Sequence, residues 1–94
     1  MRYYSLWYYS NHIYSFVLLE KNKHLKELGE QIRELRKIKG FSQEKLALDA
    51  EVDRSYVGGI ERGERNVSFL TLTKIATCLD CDIAKFTKGI PNDK

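Results

Sequence analysis

The sequence predicts an all-α bundle of four or five short helices behind an aromatic N-terminal extension, and three observations carry that prediction. Apolar residues from Leu25 onward recur at helical spacing, with polar residues between them. A Ser or Asp stands before each later apolar run, where a side-chain oxygen can cap a helix. Glycines at 40 and 63 follow such runs, as helix stops do. Ninety-four residues with a 43% apolar fraction suffice for one domain with a single modest core.

The extension comes first. Tyr3, Tyr4, Trp7, Tyr8, Tyr9, Tyr14 and Phe16 are seven of the eleven aromatics, all within residues 1–21. Two strands, Tyr3 to Tyr9 and Ile13 to Leu19, turned at Ser10-Asn11-His12, fit this composition. A helix with Leu6, Tyr9, Ile13, Phe16 and Val17 on one face fits it equally. Composition breaks near Lys21 to Lys23, which divides the chain into an extension (1–21), a domain (22–90) and a tail (91–94). The extension reads as a packing or dimer-stabilising arm, as residues upstream of the true start, or as a contact surface.

The domain is firmer. Leu25, Leu28, Ile32 and Leu35 mark a first helix over residues 24–39, stopped by Gly40. Ser42 caps a second, with Leu46, Ala47 and Ala50 inward, ending near Asp49 to Glu51. Asp53 caps a third over residues 54–62, closed by Gly63. Its wheel turns Val57 and Ile60 inward, and Ser55, Gly58, Gly59 and Arg62 outward, a polar face low in bulk. Ser68 caps a fourth with Phe69, Leu72, Ile75, Ala76 and Leu79 inward, and Asp82 a short fifth, Ile83 to Thr87.

Composition excludes several classes of function. Sixteen basic against thirteen acidic residues give +3, which permits a nucleic-acid partner without requiring one. Ile13 to Leu19 is far shorter than the about 20 apolar residues a membrane span needs. It also lacks a small-residue cleavage site after it, so no membrane partner and a cytoplasmic location are expected. Cys78 and Cys81 form a Cys-x-x-Cys without a second half-site, and read as buried structural thiols rather than a metal or redox site. There is no Ser/His/Asp set, carboxylate pair or phosphate-binding glycine loop, so neither an enzyme nor a cofactor is expected.

The second and third helices, joined by about four residues, have the arrangement in which the second helix enters a major groove and its first turn meets base edges. Ile32-Arg33-Glu34-Leu35-Arg36, Gly40-Phe41-Ser42-Gln43-Glu44-Lys45-Leu46-Ala47 and Ile60-Glu61-Arg62-Gly63 resemble the Cro/C1 (XRE) family of DNA-binding regulators. The similarity spans roughly residues 25–88 and implies a five-helix helix-turn-helix bundle. Within that family, the run Asp53 to Asn66 is similar to the controller proteins of restriction-modification systems.

The resemblance assigns residues to roles. Arg54 matches the base-reading arginine, suited to bidentate contact with guanine, and Ser55 and Tyr56 match its neighbours. Ser42 and Gln43 at the start of the second helix, and Arg65 and Asn66 after the third, match contacts to the DNA backbone. Glu61 is expected to pair with Arg36 as an internal strut. Two residues depart from the pattern: Gly58 replaces a polar side chain, and Glu51 stands where the turn commonly has Gly or Asn and a left-handed backbone. The implied partners are double-stranded DNA, RNA polymerase and a second copy of the chain, docked through Leu79, Ile83 and Phe86. The competing readings are a phage-type repressor or antitoxin of the same family, an interaction module using the aromatic extension, and a thiol or metal sensor.

Overall fold

A computed structural model describes residues 10–91, with side-chain surroundings from residue 23 onward. The readings made for residues 1–9 and 92–94, and for the side chains of residues 10–22, lie outside it. The described residues form five helices and no strand: α1 (Ser10–Ile38), α2 (Gln43–Ala50), α3 (Arg54–Glu61), α4 (Phe69–Cys78) and α5 (Ala84–Thr87).

α1 is already helical at Ser10, the first described residue, rather than starting near residue 24, and runs unbroken through the expected compositional boundary. Glu20, Lys21 and Lys23 favour helix, and Ser10 to Leu28 contains neither Gly nor Pro, so a change of polarity there is no change of secondary structure. The helical reading of residues 13–19 therefore replaces the strand reading.

Helix starts follow the capping chemistry in two cases of four. Ser42 Oγ accepts from Lys45 N at 3.0 Å, and Ser68 Oγ from Thr71 N at 3.1 Å. Asp53 has the extended backbone of an N-cap but makes no side-chain capping bond. The N-cap of α5 is Ile83 instead of Asp82, whose backbone carbonyl accepts from Lys85 N at 3.1 Å.

The helix ends share one device. After each of the first four helices a left-handed residue turns the chain while two amides reach back to carbonyls, the Schellman pattern. After α1, Gly40 N bonds Lys37 O and Phe41 N bonds Arg36 O; after α2, Glu51 N bonds Leu48 O and Val52 N bonds Ala47 O. After α3, Gly63 N bonds Ile60 O and Glu64 N bonds Gly59 O; after α4, Asp80 N bonds Thr77 O and Cys81 N bonds Ala76 O. Glu51 at φ 61° and Asp80 at φ 56° hold this conformation without being glycine. Glu51 thus keeps the left-handed backbone that Gly or Asn commonly supplies at this turn.

The core is made of Ile32 from α1, Leu46, Ala47 and Ala50 from α2, Val57 and Ile60 from α3, Leu72, Ile75 and Ala76 from α4, with Leu79 and Phe86. Two expectations change here. Leu79 and Phe86 are 0% exposed and belong to the core of a single chain, so they offer nothing to a second copy; Ile83 is half-buried against the same core. The short α5 packs on α1, and its Phe86 joins the same core as Leu79. Phe69, read as inward, is 71% exposed, and Leu70 beside it 70%. It continues the buried stripe of α4 in sequence, yet burial requires a facing element, and among the described residues none covers Phe69.

Close backbone approach seats α3 on α1. A Cβ on Gly29 would run into the carbonyl oxygen of Ile60 and lie 2.7 Å from that of Glu61. At the turn after α3, a Cβ on Gly63 would stand 2.7 Å from Lys26 Cα. Both glycines let the end of α3 lie directly on the α1 backbone.

Candidate nucleic-acid interface

α3 has eight residues, and at about 1.5 Å per residue it is about 12 Å long, comparable with the width of a DNA major groove. Arg54 and Ser55 occupy its first turn and are exposed. The first amides of any helix have no intrahelical partner and carry the positive end of its dipole. Because the Asp53 side chain caps none of them, this turn presents a guanidinium, a hydroxyl and amide donors together, a set suited to base edges and phosphate oxygens.

The helix behind this turn is held by a buried polar cluster. Arg36 Nε and Nη2 donate to Glu61 Oε2 and Oε1 at 2.6 and 3.0 Å, a bidentate pair with residue exposures of only 7% and 6%. Arg36 Nη1 also donates to Phe41 O at 2.7 Å, and Gln43 Nε2 to Glu61 Oε1 at 2.9 Å. One carboxylate therefore ties α1, α2 and α3 together, and the strut implied by the resemblance is present in full.

This cluster alters the picture of Gln43. Its half-buried carboxamide spends a donor on Glu61. What α2 offers at its start is the exposed Ser42 and a helix N-terminus, with Gln43 bracing it from behind. Arg62 forms an exposed ion pair with Glu64 at 3.1 Å, while Arg65 and Asn66 are exposed in the turn that follows.

The paired glycines differ most from expectation. Gly58 and Gly59 are buried rather than forming a bare outer face. A Cβ on Gly58 would meet Arg62 Nη1 at 3.1 Å and Gln43 Oε1 at 3.6 Å. One on Gly59 would meet Arg65 Cγ at 2.6 Å, because the turn after α3 folds Arg65 back across the helix. Arg65 Cζ then lies 5.5 Å from the centre of the Tyr56 ring. Tyr56 is itself half-buried against the core, so it serves as packing and as surface at once. The signal in the sequence was the Gly-Gly pair followed by Glu64-Arg65, legible as a seat only once the turn is folded.

Cys78 and Cys81 are free, half-buried thiols. Burial, the larger cause in each case, pushes both pKa values up; Asp49 adds to this at Cys78 and Asp82 at Cys81. Among the described residues no group of three or more metal-ligating side chains occurs, and no helix is long and apolar enough to cross a membrane.

A helix-turn-helix family model, HTH_3, matches residues 32–86. The chain is 38% identical over 69 residues to the control protein C.SmaI of Serratia marcescens, covering 71% of this chain and 82% of that one. It is 41% identical over 63 residues to the control protein C.BamHI of Bacillus amyloliquefaciens, covering 63% and 78%. Among solved structures, the restriction-modification controller C.AhdI from Aeromonas hydrophila superposes with a TM-score of 0.65 at 52% identity, over 66% of this chain and 94% of that one. With α2 and α3 braced on one buried carboxylate and the first turn of α3 exposed beside them, the chain belongs to the helix-turn-helix (HTH_3) family of XRE-type regulators.

Proposed function

We infer that this protein is a sequence-specific DNA-binding transcription regulator, the controller of a restriction-modification system, acting as a homodimer on an inverted-repeat operator. The observation that carries the reading is the first turn of α3, where Arg54 and Ser55 stand exposed on a helix locked by Arg36, Gln43 and Glu61. Similarity to three controllers, each covered over more than two thirds of its length, supports that particular role. Arg54, Ser55 and Tyr56 read bases, while Ser42, Arg65 and Asn66 hold the phosphate backbone and fix the register. Gln43 contributes chiefly by bracing α2 against Glu61.

Two copies would place their α3 helices in successive major grooves, with half-site centres about 34 Å apart. Since Leu79 and Phe86 are consumed in the core, the two-fold contact needs another apolar surface. The start of α4 supplies one, with Phe69 and Leu70 adjacent in sequence and largely exposed. Occupancy of its own promoter would then regulate both its gene and a linked endonuclease gene, through RNA polymerase bound alongside.

Footprinting on the DNA upstream of its own gene tests the reading, with two protected half-sites expected one helical turn apart. Arg54→Ala should cost about 1 to 3 kcal/mol on that site and far less on mixed-sequence duplex. Equal losses on both duplexes would remove Arg54 as a base reader. Sedimentation of Phe69→Ser/Leu70→Ser tests the dimer surface, and an unchanged dimer would exclude it.

A further inference from the structure

Gly59 lies in the last turns of a helix, where glycine is disfavoured relative to alanine by about 1 kcal/mol. A solvent-facing glycine would carry that cost for nothing. Here the bare backbone is covered along its length by one side chain: Arg65 Cγ, Nε and Cδ lie 2.6, 3.4 and 3.5 Å from where a Cβ would stand. The guanidinium at the end of that stem meets the face of Tyr56 at 5.5 Å, a distance at which cation–π attraction operates. The chain delivers Arg65 there because Gly63, at φ 75°, reverses direction and Glu64 N bonds back to Gly59 O at 2.8 Å.

We propose that Gly59 is a positioning residue for DNA recognition: its missing side chain forms the seat that holds Arg65 against Tyr56, beside the reading turn, before DNA arrives. This rests on the DNA-binding function proposed above. A long, rotamer-rich cation normally loses freedom when it is immobilised on a ligand, and one already seated has less to lose. Gly58 has no such part. Its nearest neighbour is the far end of Arg62, which can swing away.

The test compares Gly59→Ala, Gly58→Ala, Arg65→Ala and the Gly59→Ala/Arg65→Ala double variant. Binding is measured to a duplex of the protein's own promoter region, together with melting temperature and the NMR shifts of the Arg65 δ protons. Gly59→Ala should lose about three- to tenfold in affinity while its melting temperature holds or rises, since alanine favours the helix. It should add no loss in the Arg65→Ala background, and the ring-current shift that Tyr56 imposes on Arg65 should vanish. Gly58→Ala should bind as the wild type does.

Affinity within about twofold of wild type for Gly59→Ala, or an equal loss with and without Arg65, would overturn the proposal, the latter by showing that Gly59 meets DNA itself. A retained ring-current shift in Gly59→Ala would overturn it too. Failure of the wild type to bind the duplex would instead sink the DNA-binding function, and the NMR comparison alone would then decide whether Gly59 seats Arg65.

Discussion

Replacing Glu61 with Gln is the sharpest probe of what holds α3 in place. The Glu61 carboxylate accepts two bonds from Arg36 and one from Gln43, at 2.6, 3.0 and 2.9 Å, from a position 6% exposed. The amide of Gln keeps one acceptor oxygen and turns a donor NH2 toward a guanidinium that only donates. Arg36, itself 7% exposed, is then a buried charge without its counter-ion. Breaking a buried pair on one side costs about 3 to 5 kcal/mol, against a total of about 5 to 10 kcal/mol for a domain of this size. At about 4 °C or more per kcal/mol, the melting temperature should fall by at least about 12 °C.

Urea unfolding followed by helical circular dichroism measures this directly. The double variant Arg36→Met/Glu61→Met supplies the internal control: with neither charge left to desolvate, it should lose less stability than Glu61→Gln alone. A loss under about 1 kcal/mol for Glu61→Gln, or a double variant worse than the single one by the sum of two independent losses, would refute the view that one buried carboxylate carries the junction.

Other perturbations probe separate features. Glu51→Gly should stabilise the protein by about 1 kcal/mol, because it relieves a left-handed residue at φ 61°; a lower urea midpoint would contradict this. Gly29→Ala should destabilise by about 1 to 3 kcal/mol or more by overpacking, since its methyl meets the backbone carbonyls of Ile60 and Glu61 and not a movable side chain. An unchanged melting temperature would mean α1 and α3 can part at no cost. Both cysteine pKa values are raised by burial, so at a given pH each thiol holds less thiolate than a free cysteine. Ellman's reagent at pH 8 should therefore react with the native protein more slowly than with a cysteine peptide, and faster labelling would reopen the sensor reading.

Local chemistry was legible in the sequence and tertiary cover was not. Ser42, Ser68, Gly40 and Gly63 announce helix limits because caps and left-handed stops act within four or five residues. Arg36 and Glu61 are 25 positions apart, and only family resemblance joined them. A helical wheel assigned Gly58 and Gly59 to the outside correctly for an isolated helix, but Arg65 and Arg62 return from beyond it to cover them. For Leu79 and Phe86 the apolar pattern asks for burial without showing by what, and the structure places both in the core of a single chain, with α5 packed on α1. The extent of α1 was hidden for the opposite reason, since aromatic and β-branched residues suit strands locally while the helix continues through them.

The shared manner in which the first four helices end bears on how such a protein can change its target. Each reversal is clamped by two backbone bonds and a residue of fixed handedness, so the connections contain no slack to be lengthened or retuned. One residue inserted between α2 and α3 would break that clamp and set the lengthened connection against the contacts that seat α3 on α1 and α2. Under the proposed DNA-reading role, new targets are reached by exchanging the exposed side chains at positions 54 and 55 on an unaltered frame, and those two positions can be randomised as a library without rebuilding the rest.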